Sequence, residues 1–454
     1  MAQAIAACWI APFCTSAAVR NRLVKMQQRP TRVRHLVLWL TVAAYMITYM
    51  DRVVISSAAP KIREEFGFSL ETMGLILGAF RWGYAFFQIP GGWLGDRIGP
   101  RRALTLIVLL WSAFTSLTAA MTGAVSMAVC RFFFGVGEAG AFPIATRSLS
   151  RWMLPSERGW AQGVTHAGSR LGAAFTPPIV AWMILAYGWR MPFLVFGCLG
   201  IGWALVWFFW YRDTPEEHGQ VNAAERELIQ NSLGGPRAKR SGGVPWKLIL
   251  SSRSIWTLGL MYFCYGWCLA IYLDWLPTYL KEFRGYDIKL MGLYASLPLF
   301  AGVVGDMLGG WVSDRWAGRS GNLKLARQAV GSAGFAIAAL GIVPATMTSN
   351  PEMCVAYTCL AFFGLEITVG VSWAIPLDVG GDFAGSVSAV MNTFGNIGGA
   401  ISTVALGYIV KSFGWNVPFY IAAGFCVLGG ILYLGIDASR HLFKSEPGAT
   451  PNEN

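Results

Sequence analysis

Long apolar runs without a charged residue recur along this chain. Residues 103–124 and 192–211 each carry about 20 residues without an acidic or basic side chain, which is enough for a helix to cross a hydrocarbon layer about 30 Å thick. Charged residues make up only 13% of the chain and hydrophobic residues 55%, which leaves too few charges to cover the surface of a soluble protein. Since every backbone polar group must be satisfied internally in lipid, the sequence predicts an all-α polytopic membrane protein.

Breaks between the apolar runs divide the chain into two sets of six predicted spans. The first set lies near 36–58, 72–95, 103–123, 125–146, 161–186 and 192–211, and the second near 254–280, 289–313, 328–348, 352–376, 385–411 and 417–437. We therefore predict twelve transmembrane helices. Along the chain we expect an N-terminal tail (1–31), an N-terminal bundle (32–211), a polar cytoplasmic linker (212–252), a C-terminal bundle (253–437) and a cytoplasmic tail (438–454).

The first 31 residues have no assigned role. No acidic residue occurs before Asp51, which is typical of transit peptides, whereas the order of apolar and basic residues is opposite to that of a secretory signal. We interpret this tail either as a targeting segment or as the product of a start assigned upstream of the true one, at Met26.

Basic residues are concentrated in loops that fall on one side of the predicted membrane. The loops at 97–102, 147–158, 239–247 and 315–324 are rich in arginine and lysine, and cytoplasmic loops carry such an excess. This distribution accounts for the formal net charge of +12 without a nucleic-acid partner. It predicts that both termini face the cytoplasm.

Short motifs repeat between the two sets of spans. The pairs are GGWLGDR at 91–97 and GGWVSDR at 309–315, GWRMPF at 188–193 and GWNVPF at 414–419, and FFG at 133–135 and 362–364. Two parallel six-helix repeats joined by a long loop are typical of carriers that work by alternating access around a site between the bundles.

Several of these motifs resemble a known family. GGWLGDRIGPRR at 91–102 resembles the signature that the major facilitator superfamily carries between its helices 2 and 3. Four further segments resemble the anion:cation symporter family within that superfamily: YMDRVVISSAAP at 49–60, FRWGYAFFQIPGG at 80–92, RFFFGVGEAGAFP at 131–143 and WLPTYL at 275–280. The resemblance covers about 32–437. It implies the major facilitator fold and a proton-coupled transporter of organic anions, the class that includes bacterial importers of sugar acids.

Four of the charged residues inside predicted spans lie in the first and fourth spans, where each needs a reason because a charge at membrane depth is costly. They are Asp51, Arg52, Arg131 and Glu138. They could form a fixed ion-pair network, or the carboxylates could exchange an arginine for a proton. The resemblance implies the second: Arg52 holds the substrate carboxylate, and Asp51 and Glu138 carry protons with Arg131 as their partner.

The resemblance also supplies candidates for the rest of the binding site. Tyr49 and Tyr84 match family positions that line the cavity, although both could serve packing alone. Small polar residues in a glycine-rich helix often join helices instead of binding a ligand, so that alternative stays open for the serine and asparagine candidates. The remaining predicted substrate contacts from the resemblance are Ser372, Trp373, Asn392 and Asn396. Ser169 is a further candidate outside the family pattern, where charge or polarity is also added by His166, Arg170, Asp306 and Glu366.

Arg81 departs from the family pattern, and so does Asp274, which precedes WLPTYL. Arg81 lies three residues before Tyr84, hence on nearly the same helix face. Two roles are open for it. It could be a second cationic contact that favours a di-acid, or it could pair with Asp274 as a gate on the periplasmic side.

Two charged pairs are the candidate gates. By resemblance, Asp96 and Arg97 form a cytoplasmic latch between the bundles in the outward-facing state, and Asp314 and Arg315 repeat it more weakly in the second half. Arg101 and Arg102 are expected to anchor the short loop and to enforce topology.

No enzyme signature accompanies these features. The chain has no GxxxxGK[ST] segment, no cluster typical of a metal site and no hydrolytic triad, so we expect no cofactor and a proton gradient as the energy source. The sequence predicts a monomeric symporter of the bacterial inner membrane that imports an organic anion, above all a sugar acid such as a hexuronate, aldonate or aldarate. The alternatives are a proton-antiport exporter of an organic anion or drug and a ligand sensor that does not transport.

Overall fold

The computed structural model describes residues 29–154, 157–233, 246–380 and 384–440, apart from the side chains of Ile89, Asp96 and Gly159. Every regular element within these residues is helical. Ten helices of the described part are long and apolar enough to cross a membrane. The predicted all-α membrane fold is confirmed.

The first half of the chain forms one bundle. Its helices are α1 (Val33–Phe66), α2 (Leu70–Thr118), α3 (Ala124–Glu138), α4 (Ala141–Trp152), α5 (Arg158–Tyr187) and α6 (Arg190–Trp210). The long helix α2 is broken at Gly99, where φ is 81° and ψ is 156°, a conformation that costs glycine little because it has no Cβ. The two arms of α2 therefore correspond to the second and third predicted spans.

The fourth predicted span, 125–146, is divided between α3 and α4. The break falls at residues 139 and 140, directly after Glu138. Here α4 approaches α2 so closely that a Cβ on Gly140 would lie 3.1 Å from backbone atoms of Gly91. The close approach places the end of α3, and with it Glu138, in the interior of the bundle.

The linker and the second half follow the same plan. After a 3₁₀ turn at Pro215–Glu217, the helices are α7 (Ala223–Leu233), α8 (Trp246–Ser251), α9 (Arg253–Ala270), α10 (Leu276–Thr278), α11 (Ile288–Ser320), α12 (Leu323–Met347), α13 (Pro351–Gly380), α14 (Ala384–Phe413) and α15 (Asn416–Leu434). Two π-helical turns, Ile271–Trp275 and Tyr279–Phe283, flank α10. Such turns are frequent at functional sites, and the first contains Asp274.

Among the described residues, ion pairs close the two bundles against each other at one end. We call the end that carries the start of α1, the break at Gly99 and the linker the linker face, and the opposite end the far face. Toward the far face, Arg63 pairs with Glu282 and Glu71 with Lys411, and each pair joins one bundle to the other. Helix α5 packs on α11, and α2 packs on α14.

The linker is docked on the N-terminal bundle through one buried carboxylate. The linker contains helix α7, and its Glu225 is fully buried. Glu225 accepts hydrogen bonds from Thr31 Oγ1 (2.5 Å), from the backbone N–H of Val33 (3.2 Å) and from the backbone N–H (3.3 Å) and Nη1 (3.1 Å) of Arg34. It thereby caps the first turn of α1. Arg34 also pairs with Glu157 at 3.1 Å, which lowers the pKa of the Glu157 carboxyl through a hydrogen bond.

Candidate functional site

A cavity of about 620 Å³ lies between the two bundles. Its volume is in the range of sites for small molecules. Its lining extends toward the linker face, where it includes Gln88, Thr146, Gln162, Leu377 and Ser388. Since the far face is closed by ion pairs, the cavity opens toward the linker face.

Most of the predicted site residues line this cavity. From the first half they are Tyr49, Arg52, Arg81, Tyr84 and Arg131, and from the second half Trp373, Asn392 and Asn396. Helix periodicity brings them together, because α1, α2, α3, α13 and α14 each present one face to the space between the bundles.

Arg52 is held by a buried carboxylate at one edge only. Its Nε donates to Glu138 Oε1 over 2.6 Å, and Glu138 is fully buried. The guanidinium carbon lies 4.8 Å from the centroid of the Tyr49 ring and 4.9 Å from that of Tyr84, so aromatic faces fix its orientation. Arg52 Nη2 is buried and has no hydrogen-bond partner in the described part of the chain. An arginine anchored this way keeps donors for an anion that enters the cavity.

Asp51 and Arg131 are buried beside this pair. Asp51 is fully buried, and among the described residues no well-formed hydrogen bond reaches either carboxylate oxygen. Arg131 stacks on the ring of Phe134 at 4.2 Å and on that of Phe80 at 5.4 Å. The sequence placed Arg131 as the partner of the two acids. The described residues show the direct ion pair of Glu138 with Arg52, and the partnership of Arg131 with the acids stays a prediction.

Of the two roles open for Arg81, the structure shows the pair with Asp274. Arg81 Nη2 and Nε lie 2.8 and 3.0 Å from Asp274 Oδ2, and Thr403 Oγ1 donates to the same oxygen over 2.5 Å. The three residues come from α2, the π-helical turn and α14, so the pair joins the bundles on the far side of the cavity. In this conformation Arg81 is occupied by a protein carboxylate.

Ser169 and Ser372 were predicted to contact the substrate, and neither lines the cavity. Ser169 Oγ donates to the carbonyl of His166 over 2.7 Å, and Ser372 Oγ donates to that of Thr368 over 2.6 Å. Both serines are buried. Successive residues of a helix point about 100° apart, so the neighbours Arg170 and Trp373 face the cavity and the serines face the bundle interior. In the observed conformation neither serine reaches the cavity, and their contact with substrate stays a prediction.

The second-half wall combines aromatic and amide groups. Trp373 Nε1 donates to the hydroxyl of Tyr262 over 2.9 Å. Asn396 Nδ2 donates to the carbonyl of Asn392 over 2.9 Å, which leaves its side-chain oxygen and the Asn392 amide for a ligand. These groups suit hydroxyl-bearing or charged small molecules.

Arg170 and Glu366, which the sequence marked only as added charge in the spans, form a second arginine–carboxylate pair. Arg170 Nη2 lies 2.9 Å from Glu366 Oε2 and donates to the Tyr265 hydroxyl over 3.2 Å, and that hydroxyl donates to Glu366 Oε1 over 2.9 Å. The repeated FFG motif was the available signal, since Glu138 and Glu366 follow its two copies by three and two residues.

The predicted gate residues lie at the linker face. The side chain of Asp96 falls outside the described residues. Arg97 is exposed and lies over the ring of Trp93 at 5.2 Å. Asp314 pairs with Arg327 of the same bundle at 2.6 Å, and Arg315 lies over Trp311 at 5.6 Å. Asp314 and Arg315 therefore contact their own bundle, as expected where the linker face is open.

A cavity between two six-helix bundles, open at one face and locked by ion pairs toward the other, defines a membrane carrier. No group of histidine, cysteine or acidic residues in the described ranges could hold a metal ion. The family sequence model of the Major Facilitator Superfamily matches residues 41–403 of this chain. The chain belongs to that superfamily.

Relatives in this family are transporters of small anions. The chain is 43% identical over 413 residues to a probable sulfoacetate transporter of Cupriavidus necator, covering 91% of this chain and 95% of the relative. It is 30% identical to the D-galactonate transporter of Escherichia coli (89% and 96% covered) and to a probable galactarate/D-glucarate transporter of Bacillus subtilis (85% and 88% covered). An inward-facing, unoccupied bacterial homologue of the human lysosomal transporter Spinster shares the fold, with a TM-score of 0.74 at 18% identity over 92% of this chain and all of the other. The chain is thus an organic-anion transporter of the major facilitator class.

Proposed function

We propose that this protein is a proton-coupled symporter that imports a small organic acid by alternating access. The observation that carries the proposal is the pair of Arg52 and Glu138 in the cavity. An arginine suits a carboxylate or sulfonate because its planar fork donates parallel hydrogen bonds. A buried carboxylate that shares this arginine is placed to exchange it for a proton.

The order of events follows from charge neutrality. In the empty cavity Arg52 and Glu138 neutralise each other. When an anion takes Arg52, a proton on Glu138 keeps the site neutral and spares a buried, unpaired carboxylate. Release of both into the cytoplasm restores the pair, which permits the empty carrier to return. Asp51, buried without a well-formed hydrogen bond, is the second proton carrier.

The observed conformation represents the inward-facing stage. Outward opening requires separation of Arg63 from Glu282, of Glu71 from Lys411 and of Arg81 from Asp274. In that state the latch at Asp96 and Arg97 closes the linker face. The protein acts as a monomer in the bacterial inner membrane with both termini in the cytoplasm, as the positions of its basic loops support.

Two classes of organic acid are candidates for the transported substrate. The sequence favours sugar acids, and two relatives are named for galactonate and for galactarate and glucarate. The relative at 43% identity is named for sulfoacetate, a shorter acid with a sulfonate and a carboxylate. The polar wall of Tyr49, Tyr84, Asn392 and Asn396 suits hydroxylated acids, and the arginines suit both classes.

Uptake into proteoliposomes tests this proposal. Purified protein is reconstituted, an inward proton gradient is imposed, and accumulation of sulfoacetate, galactonate, glucarate and glucuronate is measured. We expect at least one acid to accumulate above its external concentration and to stop when the gradient is collapsed. Accumulation driven only by the opposite gradient would support the antiport alternative, and binding without any flux would support the sensor.

A further inference from the structure

The cavity contains a second arginine that the proposed mechanism does not use. Arg170 lines the cavity, with its side chain 11% exposed. Like Arg52, it is paired with a fully buried glutamate, here Glu366. We infer that Arg170 binds a second anionic group of the substrate, so that the cavity recognises organic acids with two negative charges. This inference rests on the proposed function, because it assigns the substrate class of the same site.

The first support is that Arg170 has donors to spare. Its contacts with Glu366 and with the Tyr265 hydroxyl both use Nη2. Within the described part of the chain, no hydrogen bond engages its Nε or Nη1. A guanidinium has five N–H donors in a fixed fork. Arg170 can therefore keep Glu366 at one nitrogen while the remaining edge binds an anion, and binding leaves no buried carboxylate unpaired.

The second support is the spacing of the two arginines. The guanidinium carbon of Arg52 lies 4.8 Å from the centroid of the Tyr49 ring, and that of Arg170 lies 5.8 Å from the same centroid. Both cations thus flank one aromatic ring at the cavity wall. A small organic acid with an anionic group at each end can contact both, whereas a mono-acid leaves one cation with its glutamate alone.

The third support is the internal repeat. Glu138 follows the first FFG motif by three residues and Glu366 the second by two, so each carboxylate lies within one helical turn of the repeated motif. Arg52 reaches Glu138 within the N-terminal bundle, whereas Arg170 crosses from that bundle to Glu366 in the other. Arg170 therefore lies where the bundles meet, and an anion bound there contacts both halves of the carrier.

Other charged groups around this pair are consistent with an anion site. Asp306 of α11 and Arg170 both line a smaller neighbouring cavity, and Tyr262 and Tyr265 stack at 4.9 Å beside the pair. The hydroxyls of these tyrosines add donors or acceptors. Asp306 lines the neighbouring cavity and not the one that contains Arg52.

Matched acids test the inference. The probes are glucarate against gluconate, and sulfoacetate against methanesulfonate, so that each pair differs by one anionic group. Binding is measured by thermal stabilisation of the full-length purified protein and uptake in proteoliposomes. The double variant R170Q/E366Q removes both members of the pair, which avoids a buried unpaired glutamate. The exposed Arg190→Gln serves as the control, because Arg190 pairs with Glu65 outside the cavity.

The expected result is a preference of the wild-type protein for the di-acid of at least one pair. In R170Q/E366Q this preference falls about 10- to 100-fold, the range for loss of a charge-assisted hydrogen bond. The R170K variant keeps the charge but lacks the planar guanidinium fork. Its preference for the di-acid is expected to lie between those of the wild-type protein and the double variant. An unchanged preference in the double variant, or a wild-type preference for both mono-acids, overturns the inference while leaving the proposed function intact. Uptake of none of the four acids counts against the proposed function as well.

Discussion

Arg52 and Glu138 lie on different helices of one bundle and meet through a single hydrogen bond of 2.6 Å between Nε and Oε1. The carboxylate is fully buried, while 16% of the arginine side chain is exposed to the cavity. The pair is therefore asymmetric: its cation faces the cavity, and its anion is shielded from solvent. That asymmetry is what a site needs to exchange a substrate anion against a proton.

Glu138→Gln should uncouple transport from the proton gradient. The amide is close in shape to the protonated acid but cannot release a proton, so the site stays in its substrate-ready charge state. We expect loss of uphill accumulation with retention of counterflow exchange, measured in proteoliposomes with and without a pH gradient. The exposed Glu64→Gln is the control, since Glu64 pairs with Lys61 outside the cavity. Full gradient-driven accumulation by E138Q would contradict the role of Glu138.

Arg52→Lys should weaken substrate binding although the charge is kept. A lysine ammonium cannot present the fork that binds a carboxylate at one edge and Glu138 at another. We expect an affinity loss of about 1.5–3 kcal/mol, the range for hydrogen bonds to charged groups, read from the concentration dependence of thermal stabilisation. Wild-type affinity in R52K would show that the anion binds elsewhere.

Asp274→Asn should shift the carrier toward the outward-open conformation. The substitution removes the charge that holds Arg81 across the bundles and leaves the N-terminal bundle intact. A cysteine at Leu77, a cavity residue, in a background with the exposed Cys198 replaced by serine, reports the change. Its labelling by an impermeant maleimide from the periplasmic side should rise several-fold in the D274N protein. Equal labelling would favour the other role of Arg81, a direct contact with a di-acid.

Glu225→Ala should destabilise the docked linker. The variant leaves the buried backbone N–H groups of Val33 and Arg34 without their acceptor, and an unsatisfied buried donor costs about 1–3 kcal/mol. We expect a lower midpoint of thermal unfolding for E225A and an unchanged substrate concentration for half-maximal uptake. Glu227 lies exposed on the same helix, and E227A should retain the wild-type midpoint. Equal midpoints of thermal unfolding for E225A and E227A would show that Glu225 does not hold the linker on the N-terminal bundle.

Much of the architecture could be predicted because lipid imposes simple rules on a sequence. Uncharged runs of the required length identified the spans, and the breaks at Gly99 and at residues 284–287 coincide with loops expected between them. Less regular features could not be predicted. The break between α3 and α4 near Gly140 lies where Gly91 of another helix approaches closely. Local composition does not encode that contact.

Within the site, residue type indicated importance but not partnership. Arg52, Tyr49, Tyr84, Trp373 and the two asparagines line the cavity as expected. Ser169 and Ser372 do not, because one residue of helix rotation separates a cavity-facing position from an interior one. Resolving that difference requires knowing the rotation of each helix about its axis, which neighbouring helices set through packing.

The sequence by itself determined the class of this protein. It shows apolar spans in two related halves, basic loops that are predicted to lie on one side, and a few charges inside the spans, which are costly in lipid and so indicate function. Only the tertiary structure decided how those charges are paired. Arg170 and Glu366 lie 196 positions apart and on different bundles, and Arg81 finds Asp274 across the same interface. Ion pairing depends on distances of a few ångströms between side chains, and those distances are set by how the two bundles close on each other.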